Sequence, residues 1–311
     1  MNMDSTRTFL QTLGLPPGDL FDLPTSTKRF PDGAQYRLEI PSVEGPNAMA
    51  AVLEEAEARK VRVHRISQGS GIMLLTDSEI REMARLGAEA PVEVSLFVGP
   101  RALWEPSAHI LAPAGKNLAA RHRGQEQLVY AIEDVRRACA LGIRSVLVAD
   151  AGLLWVLGEM KKQGELPADF VFKISVQMGA ANPASIRLQE KLGASTYNVP
   201  TDLDLPKLAA IRAAIDIPID IYVEVPDGFG GFIRHYEIGE IVRVTAPVHI
   251  KFGLRNAMDV YPAGTHLEST VIALSRERVR RAEIGLAHLQ RTYPEATTSE
   301  LGAPGLGIPV V

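Results

Sequence analysis

Charged residues recur at every second position inside otherwise apolar, β-rich runs of this chain. Arg37 and Glu39 do so, as do Lys173 with Ser175 and Gln177, then Asp220 with Tyr222 and Glu224, and His249 with Lys251. Such alternation places the polar set on one face of a strand and the apolar set on the other. Other runs end in Arg65, Ser67 and Gln68, in Asp150, in Asn198 and, past Gly253, in Arg255. An ionised side chain buried without a partner is costly. These residues therefore either pair off as a structural ion network or line a site. Read as a site, Glu39, Lys173, Glu224 and Lys251 are the candidate catalytic residues. Arg65, Gln68, Arg123, Gln177, Asn198 and Arg255 are the candidates for binding substrate. The cations suit a carboxylate or phosphate, and a buried lysine among cations could act as base or nucleophile. A Schiff base is open at Lys173 and at Lys251. The glutamates suit acid–base work or, with Glu39 beside Glu224, a weak magnesium- or manganese-type divalent cation.

The elements that must position these groups follow one rhythm. β-Rich runs at 34–40, 61–67, 92–98, 145–149, 171–176, 196–199, 219–225 and 248–252 are each followed by a helical pattern. Thr76 and Glu79 have capping-box spacing, Asn182-Pro183 opens a helix, another opens near Asp204 and Pro206, and the last is expected to be capped by Thr265 and Glu268. Parallel strands need crossovers, and eight strand–helix units in a row predict a closed (β/α)8 TIM barrel of the α/β class. A doubly wound open sheet is the alternative. Residues 1–30 read as an extension over the barrel bottom or an interface arm. Residues 31–292 form the single barrel domain, and 293–311, rich in proline and glycine, read as a loose tail. In a barrel the active site lies at the C-terminal ends of the strands and in the loops beyond them.

Three loop segments add to that reading. Gln68-Gly69-Ser70-Gly71 resembles a phosphate-cradling turn but lacks the lysine and hydroxyl residue of a P-loop, so it also reads as a plain strand-to-helix turn. Gly228-Phe229-Gly230-Gly231-Phe232 reads as a lid or as a simple flexible loop. The long loop from Gly99 to Arg123 carries Arg101, Trp104, His109, Lys116, Arg121, His122 and Arg123. It is expected to close over an anionic substrate, with Arg121 or Arg123 pairing to it; a solvated surface loop is the alternative.

Of 311 residues, 33 are Lys or Arg and 37 Asp or Glu, a formal charge of −4, with 46% hydrophobic and 23% charged. This is globular composition, and mild acidity without a basic stripe argues against nucleic acid as a partner. No apolar run reaches the ~18 residues of a membrane span, and the N-terminus has no secretory pattern, so a cytoplasmic location without a membrane partner is expected. The single cysteine, Cys139, allows no internal disulfide, no all-cysteine zinc site and no four-cysteine iron–sulfur cluster. The histidines show no metal-binding spacing, and His64 and His249 read as hydrogen-bonded core residues. The expected partner is a small molecule or a peptide, and a homo-oligomer is left open.

One stretch carries a family resemblance. Lys173-Ile174-Ser175-Val176-Gln177-Met178, Asn182, Ser185, Leu188 and Leu192-Gly193-Ala194 resemble the core of the collagenase-like peptidases, family 32 of the peptidases of unknown catalytic type. Asp150-Ala151-Gly152 upstream and Ile217-Pro218-Ile219-Asp220 downstream extend it to residues 145–225. The resemblance implies a barrel-type catalytic domain and, nominally, peptide hydrolysis. The family's signature strand departs here: Asp220 and Tyr222 are conservative matches, while Glu224 stands where the family has histidine and Gly228 where it has cysteine. Relatives that hydroxylate RNA bases or quinone precursors use cysteine-bound iron–sulfur clusters, which one cysteine excludes. The chain reads as a divergent branch. Lyase, aldolase or isomerase chemistry on a carboxylate-bearing molecule, and a non-catalytic binding barrel, are the alternatives.

Overall fold

The structure, a computed structural model, describes residues 3–101 and 118–311. Eight strands close into an all-parallel barrel in chain order: β1 Tyr36–Pro41, β2 Arg65–Gln68, β3 Glu93–Phe97, β4 Ser145–Val148, β5 Val171–Ile174, β6 Thr196–Asn198, β7 Ile219–Glu224 and β8 Val248–Phe252, which pairs back onto β1. The (β/α)8 expectation holds. Register sets the polar residues in rings, with Glu39 beside both Arg65 and Lys251, and Asp220 beside both Asn198 and His249.

The apolar alternates explain why the sheet curls this way. Leu38, Ile40, Ile66, Val94, Val146, Phe172, Ile174, Ile221 and Ile250 are buried and join the helices' apolar faces in one hydrophobic core outside the sheet. Caps fix where the helices begin. Thr76 and Glu79 exchange side chain-to-backbone bonds of 3.3 and 2.7 Å, and Asn182 Oδ1 accepts from Ser185 N at 3.0 Å. The expected cap at Thr265 and Glu268 is corrected: Thr265–Leu267 form a short 3-10 turn, and the helix Glu268–Thr292 starts without a side-chain cap. Among the described residues no helix is long and apolar enough to cross a membrane.

Both chain ends cover the N-terminal end of the barrel. Ser26 N donates to Arg243 O at 2.9 Å, and the Phe30 ring meets His249 edge-on at 5.1 Å. The tail is not loose, contrary to its composition. Arg37 donates to Ser299 Oγ and to Pro304 O, both at 2.8 Å. His64 Nδ1 accepts from Leu38 N at 3.0 Å, which leaves Nε2–H to donate to Ser299 O at 2.9 Å, and Gly307 N donates to Glu93 Oε2 at 3.1 Å. Proline and glycine prevent helix here but suit an extended plug, and the buried polar groups at the barrel bottom need its partners. A chain ending at Thr298 is therefore expected to lose roughly 3 kcal/mol or more, read as a lower urea midpoint. A midpoint unchanged by the truncation would make the plug decorative.

Candidate active site

The barrel interior holds an ion column, with its charged parts supplied by six strands. Arg65 on β2 is fully buried; its Nε donates to Glu93 Oε1 at 2.7 Å, and its NH1 lies 3.2 Å from Asp220 Oδ1 and 3.4 Å from Glu39 Oε2. Lys173 Nζ, also fully buried, sits 3.3 Å from Glu39 Oε1 and 3.5 Å from Asp220 Oδ2, without hydrogen-bond geometry to either. Lys251 Nζ lies 3.1 Å from Glu39 Oε1, over the Tyr222 ring at 4.3 Å. Asn198, in the orientation that satisfies its amide, donates to Asp220 O at 3.0 Å and offers its oxygen to Lys251 Nζ at 3.1 Å. Ser67 Oγ donates to Glu39 Oε1 at 2.7 Å, and Thr196 Oγ1 to Asp220 Oδ2 at 3.0 Å.

The charges act on one another's protonation. Burial alone would push the Glu39 carboxyl up, but Lys173, Lys251 and Arg65 together outweigh it and hold it at about 2. Burial is likewise outweighed at Asp220, which Arg65, Lys173 and His249 hold well below the usual carboxylate range. Both are carboxylates at neutral pH. Burial pulls Lys173 down from the ordinary lysine value, and Glu39 only partly restores it. His249, fully buried beside Arg65, is pulled down to about 3 and is neutral.

Above the column, at the C-terminal ends of the strands, lies a cavity of about 50 Å³. Ser67, Asn198 and Lys251 line it from the strands and Ser175 from just beyond β5, and Phe97, Tyr222, Phe229 and Tyr261 give it aromatic walls. Gln68, Gln177 and Arg101 complete the lining, with Gln177 Oε1 buried and without a partner. The Arg101 guanidinium stacks on Phe97 at 3.4 Å and donates to Gly69 O. Gln68 closes its own turn, Oε1 accepting from Gly71 N at 3.0 Å, so the 68–71 segment is a tied turn at the cavity edge. Its amides from Gly69 and Ser70 point to Glu44, at 2.6 and 2.9 Å, which corrects the phosphate-cradle reading.

The structure thus brings Glu39, Arg65, Lys173 and Lys251 together in the column, and Gln68, Gln177 and Asn198 around the cavity. It does not bring Glu224 there. A register shift between Tyr222 and Glu224 inserts one extra residue against β8, and such a bulge turns the following side chain to the opposite face. Glu224 is buried toward the helix Glu268–Thr292, accepting from Arg255 N at 3.0 Å, with Arg281 NH1 at 3.4 Å and His235 Nε2 at 3.5 Å. Burial there raises its pKa. The expected divalent site on Glu39 and Glu224 is accordingly corrected, since the two carboxylates face opposite sides of the sheet. Among the described residues no group of three or more His, Cys, Asp and Glu side chains could hold a metal ion.

The arginines expected over the mouth are also displaced. Arg121 is committed to backbone, donating to Ala149 O, to Gln177 O at 3.1 Å and to Met178 O at 2.9 Å. Arg123, exposed, precedes the helix Gly124–Ala140, with its N donating to Gln127 Oε1 at 2.6 Å, and neither arginine is in the cavity lining. Arg255 pairs with Asp227 of the glycine-rich loop, half-exposed and outside the lining. Residues 102–117 of the long loop, with Trp104, His109 and Lys116, lie outside the described residues. Asp220, Glu93 and Tyr261 are the functional neighbours missing from the sequence-based site. Asp220 carried the period-two signal, whereas Tyr261, in the loop after β8, carried none.

Comparison with known proteins agrees with the resemblance. Residues 118–225, about a third of the chain, match the profile of peptidase family U32. No curated protein sequence matches the chain. Among solved structures, the U32 peptidase Mk0906 is 16% identical, with a TM-score of 0.41 over 64% of this chain and 73% of its own. A native KDPGal structure is 11% identical, with a TM-score of 0.45 over 88% and 98% of the two chains. The carboxyl transferase domain of Rhizobium etli pyruvate carboxylase is 14% identical, with a TM-score of 0.44 over 96% of this chain and 53% of that one.

Proposed function

We propose that the protein is a cytoplasmic barrel enzyme that forms an imine between Lys251 and a small oxo-carboxylate, in a lyase- or aldolase-type reaction. One observation carries this reading: Lys251 is the lysine on the cavity lining, held between Glu39 and Asn198 at the foot of an aromatic-walled space whose other charged lining residue is Arg101. Its volume of about 50 Å³ suits a group of carboxylate size. Free Lys251 amine would add to the substrate carbonyl carbon, and loss of water would leave the imine. That imine, once protonated, draws electrons from an adjacent C–C bond. Arg101 at the edge supplies the charge for a substrate carboxylate, and Ser175 with Gln177 the polar contacts.

The family match favours a second reading, hydrolysis, for which Ser67 would be the nucleophile. Its only carboxylate partner among the described residues argues against it. Glu39 is held at about 2, too weak a base to take a serine proton at neutral pH. The test is borohydride trapping with a panel of small 2-oxo acids, followed by peptide mass spectrometry. A reduced adduct on the Lys251 peptide is expected. Absence of any adduct, together with peptide or ester turnover that survives Lys251→Met, would overturn the imine reading in favour of hydrolysis. Glu224→Gln, turned away from the cavity, is expected to leave adduct yield within about twofold; a large loss would place Glu224 back in the site.

A further inference from the structure

We propose that Ser42 is a further catalytic residue, its hydroxyl donating to the carbonyl oxygen of the bound 2-oxo acid as Lys251 adds to the carbonyl carbon. The timing rests on Lys251 as the reacting group, while the oxygen contact rests on how the cavity wall is built. Ser42 follows Pro41 at the end of β1. Alternation from Glu39 would turn Pro41 inward and the next side chain out toward the helices. The chain breaks that alternation: Ser42 has a φ of 60°, in the left-handed region, and lines the cavity together with Pro41. A β-carbon disfavours that conformation, which persists where the surroundings over-determine it.

Contacts from three other elements do so here. Arg278, buried on the helix Glu268–Thr292, donates to Ser42 O at 3.2 Å. Val43 N donates to Ser67 O at 3.0 Å, tying the next residue to β2. Tyr261, in the loop after β8, donates its hydroxyl proton to Ser42 Oγ. Gly69 makes room for that ring, since a β-carbon there would collide with it. By accepting from Tyr261, Ser42 Oγ keeps its own proton for the cavity, and the buried Arg278 charge polarises the pair. Ser67, by contrast, gives its proton to Glu39, and Asn198 its amide to Asp220 O. On β1, Glu39 pairs with Lys251 of β8, so Ser42 lies three residues further along the strand beside the amine. As the Lys251 nitrogen bonds to carbon, the carbonyl π pair moves onto oxygen, and a donor aimed at that growing charge is worth most in the transition state. Both amine protons then leave with the oxygen as water, so Ser42 donates a hydrogen bond and gives up no proton.

The probe is oxamate, a pyruvate-shaped acid whose amide carbonyl does not form imines, titrated calorimetrically into the full chain. Ser42→Gly suits the backbone conformation and is expected to weaken oxamate at least about tenfold. Tyr261→Phe loses the same tyrosine–serine hydrogen bond but keeps the Ser42 hydroxyl, so its loss must be smaller, about threefold or less. Ser42→Ala serves as the readout should the glycine variant fail to fold. Absence of oxamate binding to the wild type, binding by Ser42→Gly within about twofold of it, or equal losses in the glycine and phenylalanine variants overturns the proposal. Borohydride trapping of pyruvate reads the imine separately. The expected oxamate losses without any adduct would remove the imine and leave Ser42 as the partner of the carbonyl oxygen.

Discussion

Arg65→Met is expected to destabilise the protein by roughly 3–5 kcal/mol, the largest effect of any substitution in the column. Arg65 is fully buried and is the contact common to Glu39, Glu93 and Asp220. Its loss does not strip those carboxylates bare. Glu93 keeps Ser145 Oγ at 2.7 Å and Gly307 N at 3.1 Å, and Asp220 keeps Thr196. What remains is an excess of buried negative charge that two lysines cannot balance. Urea unfolding at neutral pH measures the loss; a change under about 1 kcal/mol would mean the column is hydrated and its charges screened.

The same variant makes a pH prediction of defined sign. In the wild type, Glu39 titrates at about 2 in the folded state against an ordinary 4.5, so its contribution is fully present above pH 4.5 and lost as pH falls toward 2. His249 adds a second loss. Its folded value of about 3 lies below the ordinary 6.5, so below pH 6.5 the unfolded chain takes up a proton that the folded one refuses. In Arg65→Met the abandoned carboxylates should titrate higher when folded and gain a proton as pH falls. The gap between variant and wild type is thus expected to narrow between pH 7 and pH 4. A gap that widens on acidification would contradict this account of what Arg65 neutralises.

How much of this was legible in the sequence depends on how local the determinant was. Inner and outer faces alternate along a strand by covalent geometry, so Arg37 with Glu39, Asp220 with Tyr222 and His249 with Lys251 announced a polar interior before any coordinates. The capping pairs at Thr76 and Asn182 were equally readable, because donor and acceptor lie three residues apart. Glu224 was misplaced because its direction depends on the register of β7 against β8, where one residue too many faces the gap between Lys251 and Phe252. Nothing within Tyr222-Val223-Glu224 encodes that shift. Arg121 read as an anion-binding cation because its real partners, carbonyls at residues 149, 177 and 178, are set by the barrel's closure. The tail failed for the same reason. Proline and glycine forbid regular structure, but whether an irregular segment hangs free depends on polar groups elsewhere, here Arg37, His64 and Glu93.

Lys251→Met is expected to abolish borohydride-trapped adduct, a loss of at least about 100-fold, while the fold survives at a cost of about 1–2 kcal/mol. The two halves of this prediction come from opposite sides of the same nitrogen. On the cavity side, Lys251 is the one lysine of the column in the lining, while Lys173 is wholly enclosed, so no other column amine can take its place. On the column side, removing Lys251 leaves Glu39 still held by Ser67 at 2.7 Å, Lys173 at 3.3 Å and Arg65 at 3.4 Å, and methionine fills the stem's volume over Tyr222. No carboxylate is left alone, in contrast to Arg65→Met. Lys251→Arg sharpens the distinction: it restores the charge beside Glu39 and hence the stability, but a guanidinium cannot form the imine. Adduct formation that persists in the methionine variant would move the reacting group elsewhere. Adduct lost only together with folding would make Lys251 a structural member of the ion column.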